Sequence, residues 1–408
     1  MRLASLVLLA GICSLTAAQP DQSAEALRQL SAAVEAKPKS LDELCQRPFA
    51  KVPLTKADAA IAREQLWKAR AAMLREERAK EFGARILKEG NLAMPYDGRV
   101  FGKEPKEGYS LWISMHGGGG APKQVNDSQW QNQKKLYALE EGIYVAPRAP
   151  TDTWNLWHQD HIDRMFARLI ENFIIFKNID PNRVYLLGYS AGGDGVYQLA
   201  PRMADRWAGA AMMAGHPNGV PVLSLRNVPF AIQVGGDDSG YDRNKVAKEY
   251  GELLDRLQKD DPKGYVHFTK IHEGMPHWMN LKDKIALPWM ANYSRNPIPE
   301  KVVWKQSGTP HLQSYWLAVP PGEVNKESLI VAERNGQEVR VTKTEKATNV
   351  LIRLDDRMMD LDKPVTVTGS SGKKQTLTVN RTMDTMIRTL QARGDRNLMF
   401  DAEVTVPK

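Results

Sequence analysis

The sequence contains very little cysteine, with Cys13 and Cys45 as the two cysteines among its 408 residues. Residues 1–18 have the layout of a secretory signal, because Arg2 precedes an apolar stretch that ends in small residues. Cys13 would leave with that signal, and Cys45 alone cannot form an internal disulfide. We therefore expect a secreted or periplasmic protein whose stability comes from its core.

Long apolar runs, basic clusters and metal-binding patterns are also missing. No segment after residue 18 is apolar enough, for long enough, to span a bilayer, so we expect no stable membrane insertion. The Lys and Arg residues behind the formal charge of +8 are spread among carboxylates, which argues against nucleic-acid binding. There is no cysteine pair and no His-x-x-x-His helix to hold a metal, and we expect no cofactor.

The residues that are present divide the chain into three regions after the signal. Residues 19–90 are rich in Ala, Glu, Lys and Arg, and the apolar spacing within 56–89 predicts one or two long amphipathic helices that end at Gly90. Residues 91–296 alternate short apolar runs with helical patterns, which predicts an α/β fold with a doubly wound, mostly parallel sheet. Residues 297–408 have several short strand patterns, which predict a small β-rich domain.

The individual elements follow from these patterns. The predicted strands of the α/β region are 111–115, 143–146, 184–187, 208–213, 230–234 and 266–271, and its predicted helices are 130–140, 162–177, 193–203 and 245–257. In the C-terminal region the predicted strands are 328–332, 339–342, 350–354, 365–368 and 376–379. The dipeptide Asn335-Gly336 favours a hairpin between the first two of these.

Two glycine motifs each follow a predicted strand. Residues 188–192 read Gly-Tyr-Ser-Ala-Gly, the pattern of a nucleophile elbow, in which a sharp turn holds the hydroxyl of Ser190 above the sheet. Residues 116–120 read His-Gly-Gly-Gly-Gly, and backbone N–H groups without a nearby Cβ can approach a developing oxyanion closely. Together with the N–H of Ala191 they would form the oxyanion hole of an acyl-transfer enzyme.

A serine nucleophile needs a histidine base and a carboxylate that orients it. The acid is expected past the strand 230–234, where Asp237 and Asp238 are both candidates; we favour Asp238, since the turn before it places it in the loop. The histidine is expected after the strand 266–271. We favour His277 over His272, because His272 lies too close to the strand.

These motifs resemble secreted bacterial α/β-hydrolases of the esterase group, described as poly(3-hydroxybutyrate) depolymerase-like or feruloyl-esterase-like. The resemblance covers about residues 108–293. It implies a catalytic triad of Ser190, Asp238 and His277. It also implies that the oxyanion hole is formed by N–H groups of Gly118, Gly119 and Ala191.

The surroundings of these residues indicate the substrate class. Only thirteen residues, 216–228, separate two predicted strands at a place where lipases insert a helical lid, so the site should be open there. Trp154, Trp157 and His158 lie in a loop after a strand end, where such sheets bind ligands, and tryptophans suit stacking on a sugar or an aromatic acyl group. The alternative is that the two tryptophans pack the loop onto the core.

The sequence therefore predicts a carboxylic-ester hydrolase that forms an acyl-enzyme, acting on carbohydrate-linked, polymeric or other extended esters. One alternative is a serine peptidase of the prolyl-oligopeptidase type, although residues 19–90 cannot build the large β-propeller that precedes the catalytic domain in such enzymes. The other alternative is a non-catalytic binding protein on a hydrolase scaffold, in which residues 300–408 carry the function.

Overall fold

The computed structural model describes residues 18–407, so the predicted signal, apart from Ala18, and Cys13 lie outside the described residues. The α-helices are α1 Pro20–Glu35, α2 Leu41–Cys45, α3 Lys56–Ala84, α4 Lys123–Gln133, α5 Asp160–Lys177, α6 Ala191–Arg202, α7 Arg243–Asp260, α8 Ala286–Ala291 and α9 Met383–Arg393. The strands are β1 Ile86–Glu89, β2 Leu92–Phe101, β3 Tyr109–Met115, β4 Gly142–Pro147, β5 Ile179–Tyr189, β6 Gly209–Met213, β7 Phe230–Gly235, β8 His267–His272, β9 Lys301–Lys305, β10 Gln313–Ser314, β11 Leu317–Ala318, β12 Leu329–Asn335, β13 Glu338–Glu345, β14 Leu351–Leu354, β15 Val365–Thr368, β16 Lys374–Leu377 and β17 Ala402–Thr405.

An eight-stranded sheet in the order β1-β2-β4-β3-β5-β6-β7-β8 forms the centre of the molecule. Strand β2 is antiparallel to β4, and β3 to β8 run parallel. Strands β4, β6 and β7 are buried throughout, because helices cover both faces of the sheet. This strand order is that of the α/β-hydrolase fold, and the predicted fold class is confirmed.

Two predicted helices end or begin elsewhere in the structure. The helix expected to reach Gly90 ends at Ala84, since Arg85 takes a left-handed conformation with φ of 55°, and Ile86 then begins β1. The central sheet thus starts before residue 91. The helix expected over 130–140 lies instead at Lys123–Gln133, because the apolar residues after Gln133 pack on the sheet from an irregular segment.

The two ends of the described chain pack together. Leu30 and Leu66 from the N-terminal helices α1 and α3 share one buried cluster with Met386, Ile387 and Leu390 of α9. The N-terminal helices therefore cover an apolar face of the C-terminal region.

The C-terminal region contains a five-stranded sheet, β16-β15-β13-β12-β9, and a four-stranded sheet, β10-β11-β14-β17. Its core is continuous with that of the central sheet: Trp304 and Trp316 belong to the same buried cluster as Phe230. A buried ion pair joins the same two parts, with Arg295 Nη2 at 2.7 Å from Asp395 Oδ2.

Candidate active site

Ser190 occupies a strained turn between β5 and α6. Its φ of 58° and ψ of −122° lie outside the regions that most side chains adopt, and its N–H donates to the carbonyl of Met213 at 2.9 Å. Glycine is required on both sides of the serine, because a Cβ at Gly188 would lie 2.3 Å from Gly192 O and one at Gly192 would lie 2.2 Å from Met115 O. The backbone here has the conformation of a nucleophile elbow.

Ser190, His277 and Asp238 form one chain of hydrogen bonds. His277 Nε2 lies 3.0 Å from Ser190 Oγ, and His277 Nδ1 lies 2.7 Å from Asp238 Oδ2. Asp238 is 4% exposed, whereas the His277 ring borders solvent. The other predicted candidates lie apart from this chain: His272 Nε2 bonds Gln233 Oε1, and the contact to His277 comes from Asp238 rather than Asp237.

Two further residues hold Asp238 and His277 in place. Tyr189 Oη donates to the carbonyl of His277 at 2.6 Å and accepts from the N–H of Met279 at 3.0 Å, so one hydroxyl holds both ends of the histidine loop. Burial raises the pKa of Tyr189, which keeps the hydroxyl protonated. Arg243 Nη1 lies 3.6 Å from Asp238 Oδ1, so the carboxylate has an ion-pair partner at the oxygen that does not contact His277. Tyr189 is the variable position of the elbow motif, and sequence reasoning missed its role.

The glycine loop lies beside the serine. Gly118 and Gly119 have φ of 104° and 80°, values open to glycine. The N–H of Gly119 donates to Asn126 Oδ1 at 2.8 Å, so it holds the loop and is not free to bind an oxyanion, contrary to the expectation from sequence. The hydrogen bonds within residues 18–407 do not use the N–H groups of Gly118 and Ala191.

The His116 side chain forms hydrogen bonds with the backbone of the glycine loop and of a neighbouring segment. Its Nδ1 lies 2.6 Å from Gly117 O, and its Nε2 accepts from the N–H of Ala149 at 3.1 Å. The ring is therefore neutral, with the proton on Nδ1. Burial lowers the pKa of His116 to about 4, which makes it a structural histidine at neutral pH.

The predicted aromatic rim is only partly at the surface. Trp154 is 63% exposed, and its ring packs edge-on against His158 with centroids 5.4 Å apart. Burial lowers the pKa of His158 to about 4, so this ring too is neutral. Trp157 is fully buried and donates from Nε1 to His116 O at 2.9 Å, so the prediction that it contacts substrate is wrong.

A second aromatic residue lies at the surface on the histidine side. Trp278 follows His277, is 45% exposed, and packs against Tyr189 with ring centroids 5.5 Å apart. Sequence reasoning missed it, although its position next to His277 was a usable signal. Trp154 and Trp278 thus offer two exposed apolar surfaces, one beside the glycine loop and one beside His277.

Known proteins with similar sequences or structures include esterases. No protein-family model matches the chain. NocK of Nocardia uniformis subsp. tsuyamanensis, whose name gives esterase as its expected activity, is 29% identical over 135 residues. That match covers 29% of this chain and 39% of NocK, so the chain spans well under half of this curated relative.

Similar solved structures carry related names. A thermostable esterase is 20% identical, with 52% of this chain and 62% of that chain covered and a TM-score of 0.40. The poly(3-hydroxybutyrate) depolymerase LpqC of Bordetella parapertussis is 15% identical, with 54% and 94% covered and a TM-score of 0.39. The feruloyl esterase module of Clostridium thermocellum is 15% identical, with 51% and 87% covered and a TM-score of 0.37. These names belong to the groups that the motifs resemble, and the fold assignment rests on the strand order.

The described residues contain neither a metal-binding cluster nor a membrane-spanning helix. No group of three or more His, Cys, Asp or Glu side chains within residues 18–407 could hold a metal ion. No helix in that range is long and apolar enough to cross a membrane. Cys45 donates to Asp384 Oδ1 at 3.2 Å, and its burial raises the thiol pKa to about 11, which disfavours a reactive thiolate.

Proposed function

We propose that this protein is a secreted or periplasmic serine hydrolase that cleaves carboxylic esters. The observation that carries the proposal is the hydrogen-bonded chain from Ser190 Oγ through His277 to Asp238, at 3.0 and 2.7 Å, on an elbow that presents the serine. A serine hydroxyl within hydrogen-bond distance of an imidazole that is itself held by a buried carboxylate is the arrangement that activates serine in acyl transfer.

The first half of the reaction forms an acyl-enzyme. Ser190 Oγ attacks the ester carbonyl carbon while its proton passes to His277 Nε2, and Asp238 stabilises the resulting imidazolium through Nδ1–H. The N–H groups of Gly118 and Ala191 donate to the oxyanion of the tetrahedral intermediate. His277 then gives its proton to the leaving alcohol oxygen as the carbon–oxygen bond breaks.

The second half regenerates the enzyme. Water attacks the acyl carbonyl while His277 Nε2 accepts a proton from it, and the same two N–H groups hold the second oxyanion. Collapse of this intermediate breaks the bond to Ser190 Oγ, which regains its proton from His277 and releases the carboxylic acid. No cofactor enters either half.

The proposed substrates are extended esters, carbohydrate-linked or polymeric. Support comes from the aromatic side chains at the surface of the site, since Trp154 is 63% and Trp278 45% exposed. Flat aromatic faces bind sugar rings or aromatic acyl groups by stacking, at little conformational cost. Trp157 has no part in this binding.

The test is hydrolysis by the purified protein of p-nitrophenyl acetate and butyrate, methyl ferulate, acetylated xylan, a polyester film and an aminoacyl-p-nitroanilide. We expect turnover of esters and a loss of about 10⁴-fold or more in Ser190→Ala. Ser128→Ala is the matched control, because Ser128 is exposed on α4. A fluorophosphonate should label the wild type and the control but not Ser190→Ala.

Other results would replace the proposal. Undiminished ester turnover by Ser190→Ala would exclude this nucleophile. Serine-dependent cleavage of the anilide in preference to the esters would identify a peptidase. No turnover of any substrate, together with no fluorophosphonate labelling, would indicate a binding protein on a hydrolase scaffold.

A further inference from the structure

A carboxamide that makes no hydrogen bond to the described part of the chain lies beside the proposed nucleophile. A Cβ built at Gly117 would lie 3.1 Å from Ser190 Cβ and 3.5 Å from Gln129 Oε1. One glycine therefore separates the serine from the end of the Gln129 side chain. The side-chain hydrogen bonds of α4 within residues 18–407 come from Lys123, Asn126, Asp127, Ser128, Trp130 and Gln133 and do not include Gln129, whose side chain is half-buried.

Gln129 is held there by a well-anchored helix. In α4, Asn126 bonds the glycine loop through Gly119 N and Ala121 O, and Trp130 Nε1 donates to Ala146 O at 2.9 Å. One turn further on, Gln133 is 3% exposed and donates to Ser114 Oγ at 2.7 Å. Polar side chains on this inner face are thus bonded to protein, with Gln129 as the exception nearest the serine.

We propose that Gln129 is a specificity-determining residue that binds a hydroxyl group of the substrate next to the scissile ester. This inference rests on the proposed ester hydrolysis. A carboxamide has both a donor and an acceptor, and a hydroxyl is a small group that can pair with both. A site that bonds a substrate hydroxyl discriminates against an analogue that lacks it, because the polar group of the protein is then left unpaired.

The hydroxyl can belong to the acyl part or to the alcohol part of the ester, and two matched pairs of substrates separate these sources. Methyl 3-hydroxypropanoate against methyl butanoate tests the acyl side. 2-Hydroxyethyl butanoate against propyl butanoate tests the alcohol side. Within each pair the two esters differ only in the exchange of a hydroxyl for a methyl group.

The measurement is kcat/KM on all four esters for the wild type and Gln129→Met, a variant of similar length that lacks the amide. We expect the wild type to favour the hydroxylated member of one pair by about tenfold, and Gln129→Met to lose that preference. The ratio compares two substrates on one enzyme, so a smaller folded fraction cancels. Gln131→Met, at an exposed position of the same helix, should keep the preference.

Two results would overturn the inference alone: a wild type with no preference in either pair, or a preference that persists in Gln129→Met. In both cases Ser190 would still be labelled by a fluorophosphonate. A protein that neither reacts with the fluorophosphonate nor hydrolyses any ester would instead overturn the proposed function, and this inference with it.

Discussion

At the scale of single residues, the site depends on side chains whose contacts cannot be inferred from the residues next to them in the sequence. Tyr189 occupies a position of the elbow motif that tolerates many residues, yet its hydroxyl bonds both His277 O and Met279 N. Trp157 and Trp154 lie three residues apart in one loop, yet the first is buried and the second is 63% exposed. Each difference is decided by what packs against the side chain.

Replacing Tyr189 by Phe tests whether the Tyr189 hydroxyl positions His277. The change leaves the N–H of Met279 and the carbonyl of His277 without their partner, so the imidazole loses its fixed position. We expect kcat for ester hydrolysis to fall by about ten- to a hundredfold. Steady-state kinetics would show this against Tyr241→Phe, in which the altered ring is 80% exposed and activity should not change. Full activity in Tyr189→Phe would show that the hydroxyl does not position the base.

At the scale of elements, α4 shows why sequence patterns misplaced a helix. The apolar residues Leu136, Tyr137 and Leu139 predict a helix over 130–140, but they pack on the sheet from an irregular segment, where Tyr137 Oη bonds Asp283. The actual helix, Lys123–Gln133, is largely polar. It is held by contacts to the glycine loop and to β4, which lie outside its own sequence.

Asn126→Ala tests the coupling between α4 and the glycine loop. The change removes the acceptor of the Gly119 N–H, and we expect the loop, including the Gly118 N–H, to become less ordered. Losing a whole oxyanion donor costs about 10²–10³-fold in kcat in other enzymes, so a loosened one should cost at least about tenfold. Asn132→Ala, at an exposed position of the same helix, is the kinetic control. Equal kcat in the two variants would contradict the coupling.

At the scale of the whole molecule, residues 297–407 are packed tightly against the central sheet. Arg295 bonds Asp395 Oδ2 and the carbonyl of Asp205, and the side chains of Arg295 and Asp395 are only 1% and 2% exposed. The N-terminal helices contact α9 from the other side. The stability of the α/β sheet therefore depends in part on how both ends of the described chain pack.

Arg295→Met tests how much the buried ion pair between Arg295 and Asp395 contributes to stability. It leaves Asp395 buried without its charged partner, and breaking a buried pair in this way costs about 3–5 kcal/mol in the free energy of unfolding. Urea unfolding would measure the loss. Lys263→Met should unfold like the wild type, because Lys263 and Glu300 form a pair whose side chains are 83% and 70% exposed. Equal urea midpoints for both variants would show that the Arg295–Asp395 ion pair contributes little to the free energy of unfolding.

The sequence by itself determined the class of fold and the segments that carry the chemistry. The central strands are short apolar runs, the elbow and the glycine loop are local motifs, and the order Ser190, Asp238, His277 follows from the order of strand ends. The strands and the two motifs are readable because each depends on residues close together in the chain, and the order of the three site residues is readable because the fold class fixes which strand ends carry them.

Only the tertiary structure decided which groups remain available for substrate. The Gly119 N–H donates to Asn126, and Trp157 is fully buried, while Gln129 lies beside Gly117 and Trp278 is 45% exposed. Whether a polar or aromatic group is free depends on partners that are distant in sequence. Burial and hydrogen bonding across elements, which no local pattern encodes, therefore shaped the site around its three predicted residues.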